Sequence, residues 1–231
     1  MQAWIYEKTF KAQMLGILSK APGKAWLSRF RVIIFLLCLI PLARLIWLGF
    51  NDDLSANPVE FIERSTGYWS LFMLLVTLGL SPVRLLTGRT WQLQYRRMLG
   101  LFMFFYACLH ITTYLWLDYS FNWADITKDI FKHPYVLVGT SAFLLALPLA
   151  ITSNNFMIRL LRERWKQLHN LVYLIAILGV VHFWWLVKKD IREPMLYALI
   201  LALLLGIRIY YRILRTKSNI KKLPRPVSVG L

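Results

Sequence analysis

Cysteine and acidic residues are scarce in this chain of 231 residues. Its two cysteines, Cys38 and Cys108, lie inside apolar stretches, which indicates packing residues and excludes a disulfide framework or a paired-thiol redox motif. Only 11 Asp and Glu stand against 28 Lys and Arg, which gives a net charge of +17. Glycine-rich phosphate loops, nucleophile elbows and paired carboxylates within the apolar stretches are also missing from the sequence, so no catalytic residue is predicted.

Long apolar runs are abundant by contrast. Hydrophobic residues make up 58% of the chain and gather in runs rather than alternating at helical or strand period. Each run is about 18 to 21 residues long, enough to cross a hydrocarbon core of about 30 Å at about 1.5 Å per residue. The runs are 30–50, 68–86, 98–117, 134–152, 169–187 and 194–211. We therefore predict an all-α integral membrane protein, a bundle of six transmembrane helices.

The distribution of lysine and arginine predicts the orientation. Basic residues concentrate before the first run, between the second and third, between the fourth and fifth, and after the sixth. The other connections carry more of the aspartate and glutamate. Because basic loops stay in the cytoplasm, both termini are predicted to be cytoplasmic. The basic residues then meet anionic lipid headgroups, and no nucleic-acid partner is expected.

One membrane domain is predicted. Residues 1–29 form a cytoplasmic amino-terminal segment, of which residues 1–20 have the pattern of an amphipathic interfacial helix. Residues 30–211 form the six-helix domain, and residues 212–231 form a basic cytoplasmic tail. The first run is too long for a secretory signal, and no repeat of fixed period is evident.

Three histidines lie in the predicted membrane helices, where ionisable residues are costly and are functional candidates by default. His110 and His182 lie on the third and fifth helices, about 18 and 20 Å from their inner ends at about 1.5 Å per residue, so they share a depth. Two histidines at one depth on facing helices are typical of haem ligands in an electron-transfer site. The alternative is that each one hydrogen-bonds across helices in a structural role. His133, beside Pro134 in an outer connection, is expected to cap a helix or meet solvent.

A second site at the inner edge is less determined by the sequence. His169 opens the fifth run at the depth of Arg96, which lies on nearly the same helical face as His110. His169 and His182 point about 140° apart on a straight helix, and a kink near Gly179 is one way to align them. Arginine is a poor iron ligand, so Arg96 either pairs with a haem propionate or cofactor phosphate, or is an ordinary positive-inside arginine.

Short motifs along the chain resemble those of a known family. The motifs are Ser65-Thr66-Gly67, Ser81-Pro82-Val83-Arg84, residues 95–101 leading to Leu109-His110, His133-Pro134-Tyr135, Thr152-Ser153, and residues 164–174 followed by His182. Their order and spacing, from about Lys24 to Arg215, resemble the MsrQ family. This family comprises the haem-binding membrane subunits of bacterial MsrPQ systems and belongs to the ferric reductase-like transmembrane superfamily.

The resemblance implies a b-type cytochrome of the bacterial inner membrane that passes electrons to MsrP, a periplasmic molybdopterin enzyme that reduces methionine sulfoxide in oxidised proteins. The implied electron donor is the quinone pool or a cytosolic flavin reductase. The implied cofactors are haem b, in one or two copies, and FMN. His110, His169 and His182 are the implied haem ligands, with Arg96 contributing to a second site.

Such a chain is an electron-transfer subunit of an oxidoreductase system rather than a stand-alone catalyst. Two alternatives remain at this point. The first is a related transmembrane haem reductase that serves another acceptor. The second is a membrane transporter or assembly protein without haem, whose histidines are structural.

Overall fold

The computed structural model describes residues 23–187 and 190–221. The predicted interfacial helix at residues 1–20 lies outside the described residues. A 3₁₀ turn at Trp91–Tyr95 leads into the third helix, and a π-helical turn at Thr113–Asp118 continues it. The α-helices are α1 (Lys24–Phe50), α2 (Pro58–Thr87), α3 (Arg96–Thr112), α4 (Trp123–Lys132), α5 (Pro134–Ile151), α6 (Asn155–Leu161), α7 (Glu163–His169), α8 (Leu171–Leu186) and α9 (Arg192–Lys221).

Six helical segments in the described part of the chain are long and apolar enough to cross a membrane, which confirms the predicted all-α, six-helix membrane fold. The spans are Lys24–Phe50, Pro58–Thr87, Trp91–Asp118, Pro134–Ile151, Glu163–Leu186 and Arg192–Leu214.

An even number of spans brings the start of α1 and the end of α9 to the same end of the bundle. We call it the basic end, which also carries residues 88–95 and 152–154. The acidic end carries residues 51–57, 119–133 and 190–191.

Local signals set where the helices begin and end. Pro58 occupies the first turn of α2, and the side chain of Asn57 accepts a hydrogen bond from the backbone N–H of Glu60 at 3.3 Å. Gly88 ends α2 with φ of +70°, a conformation that glycine adopts without a steric penalty. Arg162 separates α6 from α7 with φ of +48°. The signals at Asn57 and Pro58 start α2 ahead of the apolar run 68–86. The first turns of α2 are therefore helical but polar.

Four spans form a ring around the core. α2 packs against α3 and α8, and α5 also packs against α3 and α8. The helices α3 and α8 therefore lie on one diagonal of the ring, while α2 and α5 lie on the other. α9 packs outside α2 and α8, and α1 packs against α3. Leu78, Tyr106 and Ala176 are fully buried in this core, while many large apolar side chains on the outer faces are exposed, as a lipid-facing surface requires.

The fifth span is broken. α7 ends at His169, Asn170 follows, and α8 begins at Leu171. Gly179, where the sequence suggested a kink, lies inside the continuous helix α8. Asn170 keeps helical backbone angles, so His169 and His182 lie on either side of an irregular turn within one span rather than on one regular helix.

Candidate functional site

His110 on α3 and His182 on α8 lie next to each other across the diagonal of the ring. Their imidazole centroids are 6.1 Å apart, and the ring planes are inclined at 76°. The sequence placed these residues at one depth from the rise per residue alone. The packing of four helices adds that their side chains meet.

The ring of His110 is held by α2. Its Nδ1 lies 2.9 Å from the backbone carbonyl oxygen of Glu63. Because a carbonyl oxygen only accepts, Nδ1 carries the hydrogen and Nε2 keeps its lone pair free for a ligand. Gly67, one helical turn further along α2, lies flat against the ring, and a Cβ atom there would be 3.1 Å from Nδ1 and Cε1 of His110. A glycine at this position is what lets the imidazole approach the helix so closely.

The ring of His182 is held in the same way by α5. Its Nδ1 lies 2.6 Å from the carbonyl oxygen of Tyr135, so Nε2 is again the free nitrogen. A Cβ atom at Gly139, one turn further along α5, would lie 2.7 Å from Nδ1 and Cε1 of His182. Each half-site thus consists of a carbonyl, a glycine four residues later and a histidine 47 residues after the carbonyl. No repeat was predicted, although the equal glycine-to-histidine spacing is visible in the sequence.

The two imidazole nitrogens suit a metal ion whose other ligands come from a cofactor rather than from the protein. Since a metal ion lies about 2 Å from a ligating imidazole nitrogen, two rings on opposite sides of one ion have centroids about 6 Å apart. The observed 6.1 Å matches this separation. In residues 23–187 and 190–221, no group of three or more His, Cys, Asp or Glu lies together to hold a bare metal ion. The pair therefore fits a metal held in a macrocycle, as in haem.

A polar network covers the pair at the acidic end. Asp129, on the short helix α4, accepts a hydrogen bond from the Tyr114 hydroxyl at 2.9 Å and pairs with Nδ1 of His133 at 2.7 Å. The ring of His133 lies 5.5 Å from that of Tyr135, whose carbonyl holds His182. Burial raises the pKa of Asp129, but the hydrogen bonds that it accepts outweigh burial, and the pKa lies below its usual 3.8. The sequence suggested neither α4 nor this pairing.

His169 lies at the basic end and is not part of the pair. The hydroxyl of Thr152 donates to the carbonyl of Pro148 at 2.6 Å, so it accepts a hydrogen bond from Nε2 of His169 at 3.1 Å. Trp165 stacks on the imidazole with a centroid distance of 3.9 Å. His169 therefore presents Nδ1, not Nε2, as its free nitrogen.

Arg96 lies on the bundle side of α3, close enough to His169 for an electrostatic interaction. Its neighbour Arg97 lies on the outer side and donates to the side chain of Asn155 at 2.5 Å. The helical spacing to His110 predicted this difference between the two arginines. The same packing brings Arg96 near Arg208 of α9, a residue that the sequence marked only as one more basic residue of the last segment.

Known proteins are similar in sequence to this chain over most of its length. Residues 66–180 match the family model described as the ferric reductase like transmembrane component. The protein named protein-methionine-sulfoxide reductase heme-binding subunit MsrQ of Herminiimonas arsenicoxydans is 45% identical over 86% of this chain and 92% of its own length. Its namesake in Xanthomonas campestris pv. campestris strain B100 is 54% identical over 71% of this chain and 75% of its own length. The chain belongs to the MsrQ family.

Other MsrQ relatives agree with this assignment. The one from Azospira oryzae is 48% identical over 83% of both chains. The resemblance inferred from the motifs is therefore confirmed at the level of the family. The ferric reductase match includes Gly67, His110, Gly139 and His169, and it ends two residues before His182.

Proposed function

We propose that this MsrQ family member binds haem b between His110 and His182 and relays electrons across the membrane. The observation that carries the proposal is the pair of matching half-sites. Each half-site fixes one imidazole through Nδ1 and leaves Nε2 free, and the two rings lie 6.1 Å apart. The names of the relatives, which describe heme-binding subunits, support the same function.

Haem iron supplies a one-electron ferric–ferrous couple when it is bound. His110 and His182 would together hold the haem, and a haem held by two histidines would favour electron transfer over bond chemistry. The carbonyl groups of Glu63 and Tyr135 hold each imidazole in the required tautomer and make it a more basic ligand. The surrounding apolar helices keep water from the pair and thereby help to set the reduction potential.

His169 and Arg96 form the second candidate site in this proposal. They interact electrostatically at the basic end, where the imidazole of His169 contacts the Thr152 hydroxyl through Nε2. This arrangement places one site near each end of the bundle, which an electron relay across a membrane of about 30 Å requires. FMN, implied by the family resemblance, belongs to the proposal without an assigned binding residue.

Orientation and partners complete the proposal. With both termini in the cytoplasm and the chain in the bacterial inner membrane, the basic end receives electrons from the quinone pool or a cytosolic flavin reductase. The His110–His182 site then lies nearer the periplasm. The electrons leave at the acidic end to MsrP, the periplasmic molybdopterin subunit that reduces methionine sulfoxide. The relatives are named as subunits of a methionine-sulfoxide reductase, which supports this partner.

The test is haem content and the reduced-minus-oxidised spectrum of the purified protein in detergent. His110→Ala and His182→Ala should each abolish the main b-type signal, because each variant keeps only one of the two histidines that would hold the haem. His133→Ala is the matched control, since His133 pairs with Asp129 rather than with the His110–His182 site. His169→Ala should remove only a second, smaller component.

A colourless wild-type protein after expression with sufficient haem would contradict the proposal. So would a full haem complement in both His110→Ala and His182→Ala. Either result would return the histidines to a structural role in helix packing.

A further inference from the structure

Arg208 is a partly buried cation at the basic end of the bundle. From α9 it reaches the ring of helices, where Nη2 donates to the backbone carbonyl of Leu78 on α2 at 2.5 Å. Its guanidinium carbon lies 5.0 Å from the centroid of the Tyr173 ring on α8. The guanidinium group therefore lies between three helices, α2, α8 and α9.

Two donor groups of Arg208 have no partner among the residues that the structure describes. Nε and Nη1 are buried, and neither has a hydrogen-bond acceptor within the described residues. A buried N–H group without an acceptor destabilises the fold, and the guanidinium group cannot lose its charge. Long basic side chains near a membrane surface usually reach water instead. Arg208 does not, because the atoms that would be hydrated are enclosed.

The charge of Arg208 also lacks a counterion. In residues 23–187 and 190–221, no Asp or Glu forms an ion pair with it. Its charged neighbour is Arg96, whose positive charge repels it. Arg96 of α3 and Arg208 of α9 thus bring two positive charges close to each other. Arg96 also interacts with His169, so this region adjoins the second candidate site.

We propose that Arg208, together with Arg96, binds the anionic oxygen group of a cofactor beside His169. The group is either the propionate carboxylate of a second haem or the phosphate of FMN. Both groups have the same chemistry, since their oxygens accept charge-assisted hydrogen bonds from the free Nε and Nη1 donors. This inference rests on the proposed function, because it assumes that a cofactor occupies the basic end.

The experiment compares Arg208→Gln with wild type and with Arg212→Gln. Arg212 lies one turn further along α9 and is exposed, so its substitution is a matched control for the loss of one charge. Haemin and FMN are titrated separately into each purified protein after its bound cofactors are quantified. Losing charge-assisted hydrogen bonds should weaken binding of one of these two probes at least about tenfold in Arg208→Gln. Binding by Arg212→Gln should equal that of wild type.

Two further variants keep the result interpretable if Arg208→Gln fails to fold. Arg96→Gln removes the second charge without touching the contact with Leu78, and it should weaken the same probe. Arg208→Lys retains the charge with a different donor arrangement, and it should bind with intermediate affinity. Thermal melting and size-exclusion chromatography establish that each variant is folded.

The outcomes separate the two sources of the anion and the two proposals. Weaker haemin binding with unchanged FMN binding identifies a propionate, and the reverse identifies a phosphate. Equal binding of both probes by wild type and the folded variants would overturn the inference, as would no binding of either probe to wild type beyond the His110-dependent haem. If wild type shows no haem signal that depends on His110, the proposed function itself is contradicted.

Discussion

Gly139→Ala adds a single methyl group to the half-site of His182. Its Cβ atom would lie 2.7 Å from Nδ1 and Cε1 of the imidazole and 3.2 Å from Cγ. Ordinary contacts begin at 3.4 Å, so the ring has to move by about 0.7 Å. That movement acts directly on Nδ1, which forms the 2.6 Å hydrogen bond to the carbonyl of Tyr135. We expect the imidazole to lose its position as a haem ligand.

The size of the loss in haem affinity follows from how strongly the groups around a metal-binding histidine control its position. Disturbing the groups that orient a metal-binding histidine typically lowers metal affinity about 10- to 100-fold, and Gly139→Ala should fall in this range. Gly67→Ala brings its Cβ to 3.1 Å from His110, a smaller overlap, so its loss of haem should be smaller. Alanine in place of glycine inside a helix stabilises the helix by about 0.5–1 kcal/mol. Loss of haem is therefore not expected to come from unfolding of the helix.

The assay is haem per polypeptide after purification, followed by haemin titration of the cofactor-depleted protein. Gly206→Ala is the control, since no atom of the described part of the chain lies within 4 Å of a Cβ atom at that position. The expected order of haem loss is Gly139→Ala, then Gly67→Ala, then Gly206→Ala with none. A Gly139→Ala protein that binds haem as tightly as wild type would refute the assignment of His182 to a closely fitted half-site.

Two more predictions concern the acidic end and the orientation. Because hydrogen bonds lower the pKa of Asp129 below its usual 3.8 despite burial, the ionised carboxylate stabilises the fold above pH 3.8, and this stabilisation is lost as pH falls through the lowered pKa. Asp129→Asn should therefore lower the melting temperature at pH 7, with the difference from wild type shrinking below about pH 4; an equal difference at both pH values would contradict this account. Alkaline phosphatase fused after Lys221 should be inactive and a fluorescent protein there should be bright, because basic segments stay in the cytoplasm; an active phosphatase would reverse the proposed orientation.

The sequence was sufficient for the architecture because a bilayer imposes a length on every spanning element. Apolar runs of about 20 residues cross it as helices, and interior backbone groups have no other way to satisfy their hydrogen bonds. Pro58 and Pro134 occupy the first turns of α2 and α5, a position that favours proline whatever the tertiary structure. The depth match of His110 and His182 followed from the rise per residue, which depends on little besides helical geometry.

Rotation about the helix axes and lateral packing were beyond the sequence. The irregular turn at Asn170, between His169 and His182, is one such feature. It depends on how α7 and α8 dock, not on an obvious breaking residue. The partial burial of Arg208 was also beyond the sequence. A lysine or arginine near a membrane edge looks the same in a sequence whether its side chain points toward water or toward neighbouring helices.

The sequence by itself determined how many helices span the membrane and where along them each histidine lies. Only the tertiary structure decided which helices share a diagonal. It thereby decided that Gly67 and Gly139 lie against the two imidazoles and that backbone carbonyls hold their Nδ1 atoms. The physical reason is that contacts along one helix are set by its fixed geometry, whereas contacts between helices depend on the packing of all of them together.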